Sequence, residues 1–186
     1  GSDTLRVGSL ASAAGGDLTG IRATLTLEGG ADKDSITIDN AGAPLSGSDF
    51  IFGDDGNDVI RDTEGPDTIN GGRGDDAING GLGIDALFGE EGNDLIYNVT
   101  GPKAIDAGLD NDWASGGEDA DGVTGGIGHD WLEGALGTDI LTGDTGLLFN
   151  NLDRGFDILL GGGADDSYGG DAGDDLMIDS EGFSLF

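Results

Sequence analysis

The sequence predicts an all-β solenoid of nonapeptides, and three observations carry that prediction. Aspartate recurs at every ninth residue along most of the chain, and an aliphatic residue recurs two positions later in the same phase. Glycine supplies 40 of the 186 residues against 3 prolines, well above average usage yet short of the strict one third that collagen requires. A fixed period sets the architecture ahead of local propensity, because each repeat buries its apolar side chain only against its neighbours. The length suits one domain or a single repeat array.

The first element is residues 1–43. Ile21, Ala23, Leu25 and Leu27 alternate as in a strand, and Gly29 to Thr37 (GGADKDSIT) is a nonapeptide carrying Asp34. That repeat starts 24 residues before Gly53, two periods plus six, so a phase slip falls between residues 38 and 43. Residues 3–43 therefore read as β-strands that cap or lead into the array. An uncovered coil end would expose core and unpaired backbone.

The second element, residues 44–178, holds fifteen nonapeptides in one phase. The sixth position reads Asp49, Asp58, Asp67, Asp76, Asp85, Asp94, Lys103, Asp112, Asp121, Asp130, Asp139, Leu148, Asp157, Asp166 and Asp175. The eighth is aliphatic or aromatic from Ile51 to Met177 except at Asn150. Glycine holds the fourth position except at Asp110, Asp119 and Ala164, and the first position in ten repeats. Glycines at positions one, two and four admit left-handed or crowded backbone, so the first six residues form a tight turn whose carbonyls are free to point inward. Positions seven to nine form a three-residue strand whose middle side chain faces the core. Aspartate and carbonyl oxygens in a flexible loop suit a hard cation with six to eight oxygen ligands, favouring calcium over magnesium or zinc.

The pattern G-G-x-G-x-D-x-U-x is clearest in GGRGDDAIN (Gly71 to Asn79), GGLGIDALF (Gly80 to Phe88), GGIGHDWLE (Gly125 to Glu133) and GDAGDDLMI (Gly170 to Ile178). It resembles the RTX (repeats-in-toxin, haemolysin-type) calcium-binding family of β-helix repeats. The resemblance implies a right-handed parallel β-roll in which two nonapeptides complete a coil of about eighteen residues, with calcium between successive turns. It implies as metal ligands the thirteen aspartates of the sixth position, with Gly53, Gly56, Gly71, Gly74, Gly80, Gly83, Gly89, Gly92, Gly125 and Gly128 in the turns. It also implies a non-enzymatic module of a larger secreted bacterial protein of the Gram-negative type, exported by a type I route beside flanking domains.

With eighteen residues per coil the aspartates divide into two rows. The first is Asp58, Asp76, Asp94, Asp112, Asp130, Leu148, Asp166, and the second is Asp49, Asp67, Asp85, Lys103, Asp121, Asp139, Asp157, Asp175. Lys103 puts a cation where an ion would sit, and Leu148 supplies nothing polar, so each interrupts its row. Adjacent intact pairs allow at most about nine calcium ions. The repeat Gly143 to Asn151 (GDTGLLFNN) loses both ligand and core residue, which marks it as an outward loop or a decayed repeat. A site assembled from two turns does not exist in the unfolded chain, so folding is expected to require calcium.

The third element, residues 179–186, is a tail or cap, with Phe183, Leu185 and Phe186 folding over Ile158, Leu160, Leu176 and Ile178, which are placed on the face opposite the tryptophans. Trp113 and Trp131, at position seven and eighteen apart, form an exposed ladder between Leu95 and Phe149 that could bind a glycan or protein, or pack on a neighbouring segment. His129 falls in a glycine turn with no partner legible in sequence. A formal charge of −31 excludes nucleic acid and anionic membrane surfaces as partners. No apolar run approaches the roughly 18 residues of a membrane span, so no membrane insertion is expected. With no cysteine and one histidine, thiolate chemistry and transition-metal sites are disfavoured. No G-x-S-x-G, H-E-x-x-H or phosphate-loop lysine occurs, so no catalytic residue is assigned.

Overall fold

The structure, a computed structural model, describes residues 4–8, 26–39, 48–62, 64–98, 100–143, 156–162, 167–169, 176–179 and 182–183. The elements among them are all β-strands, arranged in two sheets, and consecutive strands alternate between the sheets as a coiling chain requires. One sheet runs from Thr4–Gly8 through Ser35–Asp39, Val59–Arg61, Ala77–Asn79, Leu95–Tyr97, Trp113–Glu118, Trp131–Leu136 and Ile158–Gly162 to Leu176–Asp179. The other runs from Thr26–Ala31 through Phe50–Asp55, Thr68–Arg73, Asp85–Glu91, Lys103–Leu109, Gly122–Ile127 and Ile140–Thr142 to Ser167–Gly169. Neighbours pair in parallel throughout, except that Gly182–Phe183 adds antiparallel to Leu176–Asp179. This is the parallel β-roll expected from the nonapeptide period.

The eighth position makes the core. Ile51, Ile60, Ile69, Ile78, Leu87, Ile96, Leu132, Leu141 and Leu159 are wholly buried, and Leu27 and Ile36 extend the column toward the N-terminus. One branched side chain per strand, stacked on its equivalent a coil away, is the only apolar layer a repeat this short supplies. Several strands are longer than three residues because pairing resumes past the first position. Phe50, Ile51 and Phe52 pair with Thr68, Ile69 and Asn70, and then Asp54 and Asp55 pair with Gly72 and Arg73. The residue at position two has a left-handed φ whatever its type: 112° at Gly72, 70° at Asp54, 80° at Glu90 and 73° at Ala135. The coil thus imposes a backbone that glycine adopts most readily.

Coil length is eighteen residues in most of the roll, Ile158 to Leu176 included, and longer at three places. Thr4 pairs with Ser35, and in the coil that follows Leu27 pairs with Ile51 and Ile36 with Ile60, which takes six extra residues, the slip foreseen in the sequence. Leu132 pairs with Leu159 and Leu141 with Tyr168, a separation of twenty-seven. Nine additional residues therefore fall between Gly143 and Asp157, a stretch of which residues 144–155 lie outside the described residues. The two-row assignment corrects accordingly: Asp157 follows Asp130, not Asp139.

The outer face corrects too. Leu95, Trp113 and Trp131 are in register as expected, but the next residue in that column is Ile158 and then Leu176, while Phe149 is outside the described residues. Ile158, Leu160, Leu176 and Ile178 thus belong to the same sheet as the tryptophans, not to the opposite one. The parity change caused by the long coil is the reason. Leu185 and Phe186 of the expected tail cap lie outside the described residues.

Candidate metal centre

The aspartate at position six closes each turn at the edge between the sheets, and its two oxygens have different roles. Oδ1 accepts a hydrogen bond from the backbone N–H of the position-six residue one coil earlier. In the first row these clasps run from Asp34 to Asp58 (2.7 Å), Asp58 to Asp76 (2.7 Å), Asp76 to Asp94 (2.8 Å), Asp94 to Asp112 (2.7 Å), Asp112 to Asp130 (2.9 Å) and Asp130 to Asp157 (2.9 Å). In the second they run from Asp49 to Asp67 (2.7 Å), Asp67 to Asp85 (2.9 Å), Lys103 to Asp121 (2.7 Å) and Asp121 to Asp139 (2.9 Å).

The second oxygen faces inward. Oδ2 of Asp58, Asp76, Asp94, Asp112 and Asp121 is buried and has no hydrogen-bond partner. A carboxylate oxygen withdrawn from water in this way is costly unless a cation or proton meets it. Burial is the main cause that raises the carboxyl of Asp76 to about 7, Asp94 to about 6, Asp112 to about 8 and Asp121 to about 7, with neighbouring carboxylates adding to it. Asp58 is raised for the same reason.

The glycines keep this space open. A Cβ added at Gly53 would lie 2.6 Å from Asp58 Oδ2 and would also strike the Gly71 carbonyl of the next coil. Gly71, Gly89 and Gly125 stand in the same relation to Asp76, Asp94 and Asp130, and Gly80 lies against Asp85 at 3.0 Å. At position four, a Cβ on Gly56, Gly74, Gly83, Gly92 or Gly128 would meet the position-four carbonyl of the preceding coil. The expected turn glycines therefore border a space lined by carboxylate and carbonyl oxygen.

Lys103 shows what that space accepts. Its side chain is fully buried, and its ammonium pairs with Asp85 Oδ2 at 2.9 Å and donates to the carbonyl oxygens of Thr100 at 3.0 Å and Gly83. Those acceptors are the sixth and fourth positions of one coil and the third position of the next. By repeat position the equivalents at the next interval are Asp94 Oδ2 and the carbonyls of Gly92 and Leu109, the last of which accepts the Gly92 N–H at 3.3 Å, and no lysine stands among them. A donor set of oxygen alone, with an orphaned carboxylate oxygen at its centre, fits calcium.

Asp49, Asp58, Asp67, Asp76, Asp85, Asp94, Asp112, Asp121, Asp130, Asp139 and Asp157 are all buried on the two edges, while Asp166 and Asp175 lie outside the described residues. Asp110 and Asp119 hold turn positions with φ of 78° and 81°, and Asp119 accepts the Gly101 N–H at 3.0 Å.

Three features were not anticipated. Asp62, at a first position usually held by glycine, brings a third buried carboxylate within 4.8 Å of those of Asp49 and Asp67. Burial, then the charges of Asp62 and Asp49, raise Asp67 to about 8. The signal was the break in the glycine column. At position five an outer amide ladder links Asn57, Asp75, Asn93, Asn111 and His129, each later backbone N–H donating to the earlier side chain at 2.9–3.2 Å. His129 has a partner after all, since its Nδ1 accepts the Phe156 N–H at 2.7 Å. That contact spans the long coil, which periodicity alone does not reveal.

The family model of the RTX calcium-binding nonapeptide repeat, described as four copies, matches residues 45–61, 52–87, 80–97, 115–146 and 153–177, more than half of the chain. The unmatched stretches within that span are residues 98–114, which hold Lys103 and also Asp112, and residues 147–152. No curated protein and no solved structure matches the chain.

Proposed function

The chain belongs to the RTX calcium-binding nonapeptide repeat family, and from that premise we propose that it is a calcium-triggered folding module of a larger secreted bacterial protein. RTX repeats bind calcium in general. Each ion would sit between successive coils, held by Oδ2 of the position-six aspartates and by turn carbonyls, so that divalent charge joins one coil to the next. Without it, a chain of formal charge −31 holds its carboxylates in two close-packed rows and repels itself. Low calcium inside the cell would leave the module expanded for export through a type I route, and millimolar calcium outside would compact it. The module would carry no catalysis and would serve its flanking domains.

The observation that carries this reading is the row of buried, unpartnered Oδ2 atoms at Asp58, Asp76, Asp94 and Asp112. Titrating calcium into chelated protein while following far-ultraviolet circular dichroism tests it. A cooperative disorder-to-β transition is expected. A full β spectrum in excess chelator overturns it.

A second reading, a recognition module of an adhesin or extracellular enzyme, is favoured by the outer column Leu95, Trp113, Trp131, Ile158 and Leu176, in which Trp131 is 42% exposed. Stacked indoles beside aliphatic side chains suit a saccharide face or an apolar protein surface. Tryptophan fluorescence against glycans in saturating calcium separates the two: a saturable change that Trp131→Ala abolishes supports recognition, and an unchanged spectrum supports a scaffold.

A further inference from the structure

We propose that the Lys103 ammonium is a resident counter-cation of the second aspartate row, permanently filling the place between the coil of Asp85 and its own that calcium fills elsewhere. The inference rests on the calcium reading only for the neighbouring intervals. The bridge itself stands on the contacts of Lys103.

Three independent features of the site point the same way. The ammonium is withdrawn from solvent with a buried carboxylate at 2.9 Å, so charge is met by charge. Its hydrogens are directed at the oxygens of Asp85, Thr100 and Gly83, which exhausts the three donors of the group. Those oxygens come from two adjacent coils, which makes the lysine a bridge and not a solvated side chain that happens to fold inward. A buried ammonium with any of these partners missing would be strongly destabilising, so the site is built for a cation of single charge tethered to the chain.

Two consequences follow. The row holds one place that calcium does not enter, and wherever the roll is folded the adjacent coils are joined by a cation that no chelator removes. Lys103 also remains in the sixth-position register, because its own N–H still donates to Asp121 Oδ1 at 2.7 Å.

The chain has two lysines, and exposed Lys33 serves as an internal reference. Amine labelling read by peptide mass spectrometry in saturating calcium should modify Lys103 roughly tenfold or more slowly than Lys33. Equal rates in protein shown by dichroism to be folded would overturn the bridge. In chelator both lysines should label at similar rates. Protection of Lys103 there as well would uphold the bridge while overturning calcium-dependent folding, so the two failures are distinguishable. Calcium counted by native mass spectrometry at saturation should rise by at least one ion in Lys103→Asp, which restores the aspartate column, and stay unchanged in Lys103→Met. An unchanged count in folded Lys103→Asp would overturn the assignment. The Lys103→Met variant should need more calcium to fold than the unsubstituted chain, and folding at the same calcium level would equally count against it.

Discussion

The coil from Trp113 to Trp131 closes in eighteen residues, and the next one, from Trp131 to Ile158, takes twenty-seven, yet both deliver the same contacts. Asp112 N–H meets Asp130 Oδ1 at 2.9 Å, and Asp130 N–H meets Asp157 Oδ1 at 2.9 Å. Ala114 stacks on Leu132, and Leu132 on Leu159. Register in this roll is therefore set by the aspartate clasp and the core column, not by how many residues lie between them. Retaining GDTGLLFNN as a half-coil would have placed Leu148 at the clasp and Asn150 in the core. An amide buried without partners costs about 2 kcal/mol or more, whereas lengthening a turn two- or threefold costs on the order of 1 kcal/mol. Leaving nine residues out of the register is the cheaper arrangement.

The comparison breaks most severely if a regular coil is given the residue that the long coil avoids. Ile96→Asn, at a wholly buried position, should destabilise the roll in saturating calcium by about 3 kcal/mol or more, measured by urea denaturation. Next comes loss of a clasp. Asp112→Ala removes the acceptor of the Asp94 N–H and one inward oxygen, so it should cost roughly 1–3 kcal/mol and lower the calcium bound at saturation, read by calorimetry.

Acidity acts more gently on every interval at once. Asp76, Asp94 and Asp112 have carboxyls raised to about 7, 6 and 8, above the ordinary carboxylate range, so the calcium-free roll binds protons that the unfolded chain does not. Its stability is then favoured at low pH and falls as pH rises through 6–8, and calcium must displace those protons. Between pH 8 and pH 6 the unfolded chain and the calcium-loaded roll both keep these carboxyls ionised, so the calcium midpoint of folding, followed by dichroism, should stay level or fall, while the calcium affinity of the already folded roll weakens by roughly tenfold for a site titrating near 7.

The smallest effect sharpens the comparison. Deleting Asp144–Leu152 leaves Gly143 followed by Asp153-Arg154-Gly155-Phe156-Asp157-Ile158-Leu159-Leu160, a regular nonapeptide. This variant should keep the dichroism spectrum and calcium count and shift stability by less than about 1 kcal/mol. Loss of folding would show that the extra residues are structural.

Much of the fold was legible because one column carried one constraint. Ile51, Ile60 and Ile69 share a phase with the core, and Asp58, Asp76 and Asp94 share a phase with the clasp, so counting by nine identified both. The tryptophan ladder followed from the same count. Counting failed from Gly143 onward, where the reading assumed eighteen residues per coil and so assigned Asp157 to the wrong edge and Ile158 to the wrong face. Asp62 was missed for a different reason: the break it makes in the glycine column marks the position, but that it joins two other buried carboxylates shows only when neighbouring coils bring Asp49 and Asp67 beside it.

By itself the sequence determined the repeat, the β-roll, the buried columns and the oxygen-rich chemistry of the turns, because these depend on residues a few positions apart. Only the tertiary structure decided which coil each aspartate faces, that Lys103 meets three oxygens, and that His129 accepts from Phe156. Those pairings depend on how much chain is used to close a coil, and that length is set by packing between coils rather than by the pattern within one.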